Sequence, residues 1–188
     1  MARLKKRIVV AFLLTLWCTC ILAKAPIKLY KEETRITLEK NSVTIQAYYY
    51  FENNSDFELD VDFIYPFHVN SLHLFPEKIS ILDPRNKIDF TKRKKAVKWT
   101  VHFLPMGMET VYVGYQQEIK QKSVLYILDK FRTEKIDKLQ FIIETPLNLM
   151  DISISLKPDS SKTINQTKFF YITRRYFNPQ EKLKITWK

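Results

Sequence analysis

From Ile36 onward, apolar side chains recur at every second position, which is the period of a β-strand. Val43, Ile45, Ala47, Tyr49 and Phe51 alternate with Thr44, Gln46, Tyr48 and Tyr50. Phe57, Leu59, Val61, Phe63 and Tyr65 alternate with Glu58, Asp60, Asp62 and Ile64. The same pattern predicts strands over Val97–Phe103, Val111–Tyr115, Leu139–Ile143, Ile152–Leu156, Phe169–Tyr171 and Leu183–Trp187. Shorter strands are predicted at Leu72–Phe75, Ile79–Leu82 and Val124–Ile127. Between them lie clusters such as Asn53-Asn54-Ser55-Asp56, Asp83-Pro84-Arg85-Asn86 and Pro158-Asp159-Ser160-Ser161, in which Asn, Asp and Pro supply turn geometry. Only Asp129–Lys138 offers a turn or two of helix. Many short strands with one apolar and one polar face predict an all-β fold, a two-sheet antiparallel β-sandwich that is immunoglobulin-like in the broad sense.

One register can be specified. If the strands ending at Phe51 and beginning at Phe57 form a hairpin, inward residues must face inward residues. The five-residue loop Glu52–Asp56 pairs Phe51 with Phe57, Tyr49 with Leu59 and Ala47 with Val61. Tyr50 then lies opposite Glu58 and Tyr48 opposite Asp60, so two tyrosines and three carboxylates share a solvent face.

The first 23 residues are built differently. Arg3, Lys5, Lys6 and Arg7 precede an apolar run, Ile8–Ala23, which is the pattern of a secretory signal. Residues 1–23 are therefore expected to be a signal peptide cut after Ala23 or, if uncut, a signal anchor. Residues 24–35 are expected to be an N-terminal extension and 36–188 a single sandwich domain. The location that follows is extracytoplasmic: periplasmic, cell surface or secreted. Both cysteines, Cys18 and Cys20, fall in the leader, so the domain is expected to be free of disulfides.

Charge and composition narrow the classes. The 188-residue chain carries a formal net charge of +11, but four cations and no acid belong to the leader. From Asn41 to Glu77 there are six acids and no Lys or Arg; from Lys78 to Lys98, eight cations face two acids. The surface is thus dipolar more than uniformly basic. Two glycines, Gly107 and Gly114, cannot build a phosphate-cradling loop, a dinucleotide fingerprint or a serine-hydrolase elbow.

The order A-Y-Y-Y-F-E-N-N-S-D, W-T-V-H-F-L-P, V-Y-V-G-Y-Q-Q and R-R-Y-F-N-P-Q-E-K-L-K-I-T-W, over roughly Val43 to Trp187, resembles exported bacterial β-sandwich domains of unassigned role. More distantly it is similar to vault/inter-α-trypsin-type domains. The resemblance implies an all-β fold and an extracytoplasmic location, and it brings no catalytic residues.

Two surfaces are candidates for binding. Glu58, Asp60 and Asp62 project from one strand face, a strip that could accept calcium or discourage edge pairing. Tyr48 and Tyr50 opposite them would add flat rings suited to a saccharide or a protein partner. The quartet Lys92-Arg93-Lys94-Lys95 could grip an anionic polymer or stand as a solvated hairpin tip. His68, His73 and His102 have no metal-ligand spacing, and no metal, cofactor or catalytic residue is expected. Asn53 (N-N-S) and Asn165 (N-Q-T) match the glycosylation triplet. The expected role is a non-enzymatic one: an exported sandwich that binds an envelope protein or an anionic or saccharide polymer, with no nucleic acid partner. Membrane contact is expected only through the N-terminal segment if it is uncut. A carbohydrate-binding module using exposed Tyr is the alternative, and a hydrolase with an unrecognised site the third.

Overall fold

The computed structural model describes residues 26–188 except 85, 129, 132–134, 180 and 181. The leader, with Cys18 and Cys20, lies outside the described residues. Thirteen strands form three sheets, and no helix is present among the described residues. The large sheet has the order β11 (Ser160–Ile164), β12 (Thr167–Phe177), β9 (Ile136–Pro146), β1 (Ile27–Leu38), β2 (Ser42–Asn53), β7 (Met108–Glu118) and β4 (Lys78–Leu82). Two three-stranded sheets lie against it. One runs β3 (Leu59–Pro66), β6 (Ala96–Phe103), β5 (Thr91–Arg93), the other β10 (Ser153–Ile154), β13 (Lys182–Thr186), β8 (Ser123–Ile127). Phe51 of β2 meets Phe63 of β3 at 4.8 Å between ring centroids, and Phe141 of β9 meets Tyr126 of β8 at 5.7 Å. Both small sheets therefore cover the inner face of the large one, as a sandwich requires.

Residues 27–35, expected to be an extension, form most of β1, near the middle of the large sheet. The strand was hidden because its inward positions include Glu32 and Thr34, both buried, which break the apolar alternation. β1 pairs antiparallel with β2 and parallel with β9, so the sheet is mixed and not wholly antiparallel.

Glu32 tolerates the interior because its neighbours are polar. Glu32 Oε1 accepts from Thr34 Oγ1 at 2.9 Å and from the Tyr126 hydroxyl at 2.8 Å. A hydroxyl has one proton. With Tyr126 donating to Glu32, the 2.9 Å contact must run from Tyr49 to Tyr126, and the 3.2 Å contact from Tyr65 to Tyr49. Lys130 adds the countercharge, its Nζ 3.6 Å from Glu32 Oε1 and 3.4 Å from the Tyr126 ring centroid. Burial lowers the Lys130 ammonium to about 8, and burial raises the Tyr49, Tyr65 and Tyr126 phenols well above their usual value.

The expected β2–β3 hairpin does not form. β2 pairs with β1 and β7, while β3 pairs with β6, in the opposite layer. Phe51 and Phe63 both point inward as expected, but they meet across the core. Alternation fixes which way a side chain faces and leaves open whether successive strands are neighbours or opposed. The chain changes layer at Asn53. Its Nδ2 donates to the carbonyls of Phe57 and Leu104, both at 2.9 Å, and its Oδ1 accepts from the Ser55 amide at 3.0 Å.

Other differences are local. Phe170 and Ile172 of β12 face the core instead of Phe169 and Tyr171, because the run from Phe169 to Ile172 is apolar on both faces and pairing with Ile143 and Phe141 sets the register. Ile136–Lys138 open β9 and are not helical, since they pair with β1 and β12. Leu72–Phe75 makes a single bridge, His73 to Ile119, in place of a strand. Ser160 and Ser161, expected in a turn, begin the edge strand β11. Asp151, Asn165 and Gln166 take positive φ, and neither glycine does.

Candidate functional site

The three consecutive tyrosines of β2 have three different surroundings. Tyr49 points into the core relay described above. Tyr48 and Tyr50 point outward, but only Tyr48 is open.

On the outer face of the large sheet Tyr48 lies across from Tyr112 of β7, with ring centroids 5.0 Å apart. Tyr112 lies flat because of the glycine two positions on. A Cβ placed on Gly114 would collide with the Tyr112 hydroxyl and approach its Cε1 to 2.8 Å. Gly114 is thus the bed on which the ring rests, a use of strand glycine that permits close approach. On one side of this tyrosine pair a groove of about 460 Å³ crosses β1, β9 and β12, with Gln46, Gln140, Arg35 and Thr173 in its lining. On the other side a depression of about 470 Å³ reaches Leu82 and Pro84 and shares Gln46, Tyr48 and Tyr112.

Five polar side chains of this groove are unengaged. Among the described residues, the side chains of Gln46, Gln140, Tyr48, Tyr112 and Tyr171 make no hydrogen bond within the protein. The remaining polar residues of the lining include three that are tied: Arg35 lies 2.9 Å from Glu144, Glu33 accepts from the Tyr50 hydroxyl at 2.7 Å, and Thr34 donates to Glu32 at 2.9 Å. Flat rings beside free planar amides and hydroxyls match a sugar ring, which offers an apolar C–H face and a rim of hydroxyls.

Tyr50 is withdrawn from this surface. Its hydroxyl donates to Glu33 Oε2 at 2.7 Å, and Lys31 Nζ covers the ring 4.4 Å from its centroid. Burial and the Glu33 carboxylate raise its phenol to about 12.

The carboxylates expected beside the tyrosines stand on the outer face of the other layer, each with a partner from β6. Asp62 is 2.6 Å from Lys98 Nζ and accepts from Thr100 Oγ1 at 2.7 Å; hydrogen bonds from Lys98 and Thr100 hold it below the usual carboxylate range. Asp60 is 2.9 Å from His102 Nδ1, and Glu58 is 3.8 Å from His102 Nε2. The expected face combining Tyr48, Tyr50, Glu58, Asp60 and Asp62 does not exist, because β2 and β3 belong to opposed layers. Its carboxylates form cross-strand pairs.

Lys92 and Arg93 end β5, and Lys94 and Lys95 form the turn into β6; all four side chains are exposed. His68 and His73 meet with ring centroids 4.7 Å apart, but both nitrogens of buried His73 are engaged, by Asn70 Oδ1 and the Ser123 carbonyl. Burial, and then His73, lower the His68 imidazole. No cluster of three or more His, Cys, Asp or Glu able to hold a metal is present among the described residues. Of the two glycosylation triplets, Asn53 is buried with its amide committed to the corner, and Asn165 is exposed in the turn between β11 and β12.

Sequence reasoning found Tyr48 and missed Tyr112, Gln46, Gln140 and Tyr171. A signal for Tyr112 was present: V-Y-V-G-Y puts Tyr112 and Gly114 on one strand face, in outward phase.

No protein-family model and no curated protein matches the sequence. Solved structures match the fold. One is a candidate nutrient-binding protein from Legionella pneumophila, at 13% identity and a TM-score of 0.70, covering 86% of this chain and 67% of that one. Another is an M1 zinc metallopeptidase from Deinococcus radiodurans, at 8% identity and a TM-score of 0.59, covering 87% of this chain and 43% of that one. A third is a candidate protease from Parabacteroides distasonis, at 11% identity and a TM-score of 0.51, covering 88% and 41%. The chain spans less than half the length of either peptidase. At these identities the likeness establishes the β-sandwich fold. None of the three is a vault/inter-α-trypsin-type domain.

Proposed function

We propose that this protein is an exported, non-catalytic β-sandwich that binds a saccharide of the cell envelope on the outer face of its large sheet. The observation that carries the reading is the tyrosine pair. Gly114 gives up its side chain so that Tyr112 can lie flat beside Tyr48, and the groove next to them holds free amides and hydroxyls. A flat ring stacks on the C–H face of a sugar, while Gln46 and Gln140 can each donate and accept hydrogen bonds at its hydroxyls. The fold likeness to a candidate nutrient-binding protein agrees with a binding role.

Affinity electrophoresis against a panel of soluble neutral and anionic polysaccharides tests this reading. The wild type should be retarded by at least one of them. Tyr48→Ala and Tyr112→Ala should each weaken that retardation about tenfold or more, while Asp60→Asn and Asp62→Asn should leave it unchanged. Retardation that survives both tyrosine changes and is abolished by salt, or by neutralising Arg93, Lys94 and Lys95, would move the site to the β5–β6 hairpin.

A further inference from the structure

Two loops at one end of the sandwich display apolar side chains to solvent. Phe57 is 61% exposed in the loop after β2; Leu104 and Met106, between β6 and β7, are 54% and 65% exposed, and Met108, the first residue of β7, is 69% exposed. Four large apolar groups gathered on neighbouring loops are unlike the single exposed side chains that any soluble surface carries. The loops are also fastened together. The Asn53 amide donates to Gly107 O at 2.8 Å, Met106 N to Ser55 O at 3.0 Å, and Asn53 Nδ2 bridges the carbonyls of Phe57 and Leu104.

The turn itself favours display over comfort. Gly107 N donates to Leu104 O at 3.0 Å, with Pro105 second and Met106 third in the turn. Met106 has φ 50°, where this type of turn prefers Gly or Asn. Gly107 has its own reason, since a Cβ there would lie 2.9 Å from Leu104 O.

The chain enters the fold at this same end. Asn54 N donates to Pro26 O at 2.7 Å, and Ile27 pairs with Asn53. Two residues, Lys24 and Ala25, join Pro26 to Ala23, the last of the apolar run Ile8–Ala23, so three residue steps span at most ~11 Å. Whatever receives that run therefore lies within reach of Phe57, Leu104, Met106 and Met108.

We propose that these two loops form a lipid-contacting tip that rests on the bilayer holding residues 8–23. The inference rests on that segment remaining attached and is independent of the saccharide reading. Asp56 and Glu58 border the tip, so its surface fits zwitterionic headgroups and not anionic ones. The Lys92–Lys95 hairpin lies at the opposite end, because β3 pairs Leu59 with Phe103 near the tip and Pro66 with Ala96 away from it. The tyrosine face of the large sheet then runs along the side, clear of the membrane.

The test uses the full chain carrying Trp17→Phe, reconstituted in phosphatidylcholine vesicles with or without brominated acyl chains. Tryptophan is placed at Met106 or at Met150, which is equally exposed (67%) at the far end. Emission is read as the difference from the Trp17→Phe parent. Met106→Trp should shift to the blue and lose at least half its added emission to the brominated lipid, while Met150→Trp should do neither. Phe57→Ser, Leu104→Ser and Met108→Ser together should abolish the quenching at position 106, with near-ultraviolet circular dichroism verifying the fold. Equal behaviour at positions 106 and 150 overturns the proposal. So does quenching that persists in the folded serine variant, which would come from the tether alone, or quenching that needs anionic lipid.

Discussion

The two faces of the seven-stranded sheet use tyrosine in opposite ways. On the inner face, Tyr49 and the two tyrosines packed over it from the small sheets, Tyr65 and Tyr126, spend their hydroxyls on one another and on Glu32, with Lys130 beside them as countercharge. On the outer face, Tyr48, Tyr112 and Tyr171 keep theirs free beside the unengaged amides of Gln46 and Gln140. A buried polar group must find its partner inside the protein, or the fold carries the desolvation cost. An outward group with no internal partner is available to a ligand. On the proposed reading, stability and recognition are separated by the thickness of one sheet, and substitutions on either side should be separable too.

The largest effect is expected inside. Glu32→Gln removes the countercharge from an ammonium with no exit to water and should cost about 3 kcal/mol or more of unfolding free energy. Saccharide retention by the folded fraction should be unchanged; a parallel loss of binding would break the separation. Chemical denaturation followed by affinity electrophoresis reads both.

Lys130 gives the inner face a pH signature. Its folded-state value of about 8 lies below the ordinary 10.5, so the unfolded chain holds more protons between those values. Stability therefore rises with pH across that window, by about 2 kcal/mol from pH 8 to 10. Above about pH 10 the trend reverses, since the buried phenols keep protons that unfolded tyrosines release. Lys130→Met should flatten the rise. A Lys130→Met protein whose stability still climbs from pH 8 to 10 contradicts the assignment.

On the outer face Gly114→Ala should be felt twice. Tyr112 must leave its bed, at a cost of about 1–2 kcal/mol as in other overpacked sites, and saccharide retention should fall with it. Loss of stability with full retention would show that the flat ring has no part in binding. The smallest change is expected at Tyr50→Phe. One hydrogen bond to Glu33 is lost at the surface, worth under about 1 kcal/mol, and retention should not change. A clear binding defect there would restore Tyr50 to the site.

The sequence was most legible where chemistry and period agreed. β2, β6, β7 and β13 follow strict alternation, and their inward residues are those the pattern names. β1 was illegible because the groups that its two inward polar residues meet, Tyr126 and Lys130, stand more than ninety positions away. β12 was misphased because both of its faces are apolar, so only pairing with β9 sets it. The same limit explains the site. Tyr48 was visible as an outward aromatic, but its neighbour Tyr112 required knowing that β2 and β7 are adjacent. The acidic strip was visible as three outward carboxylates, and its partners on β6 were not. Period reports which way a side chain faces; strand order decides what it meets there.

The contrast between the faces can be read tyrosine by tyrosine. Selectively ring-labelled tyrosine in this chain gives resonances that Tyr→Phe changes can assign, and the polysaccharide that retards the protein can be titrated into the sample. The rings of Tyr48 and Tyr112 should shift with saturation, while those of Tyr49, Tyr65 and Tyr126 stay fixed. Saturable binding that leaves the Tyr48 and Tyr112 resonances in place would contradict the assignment of the outer face.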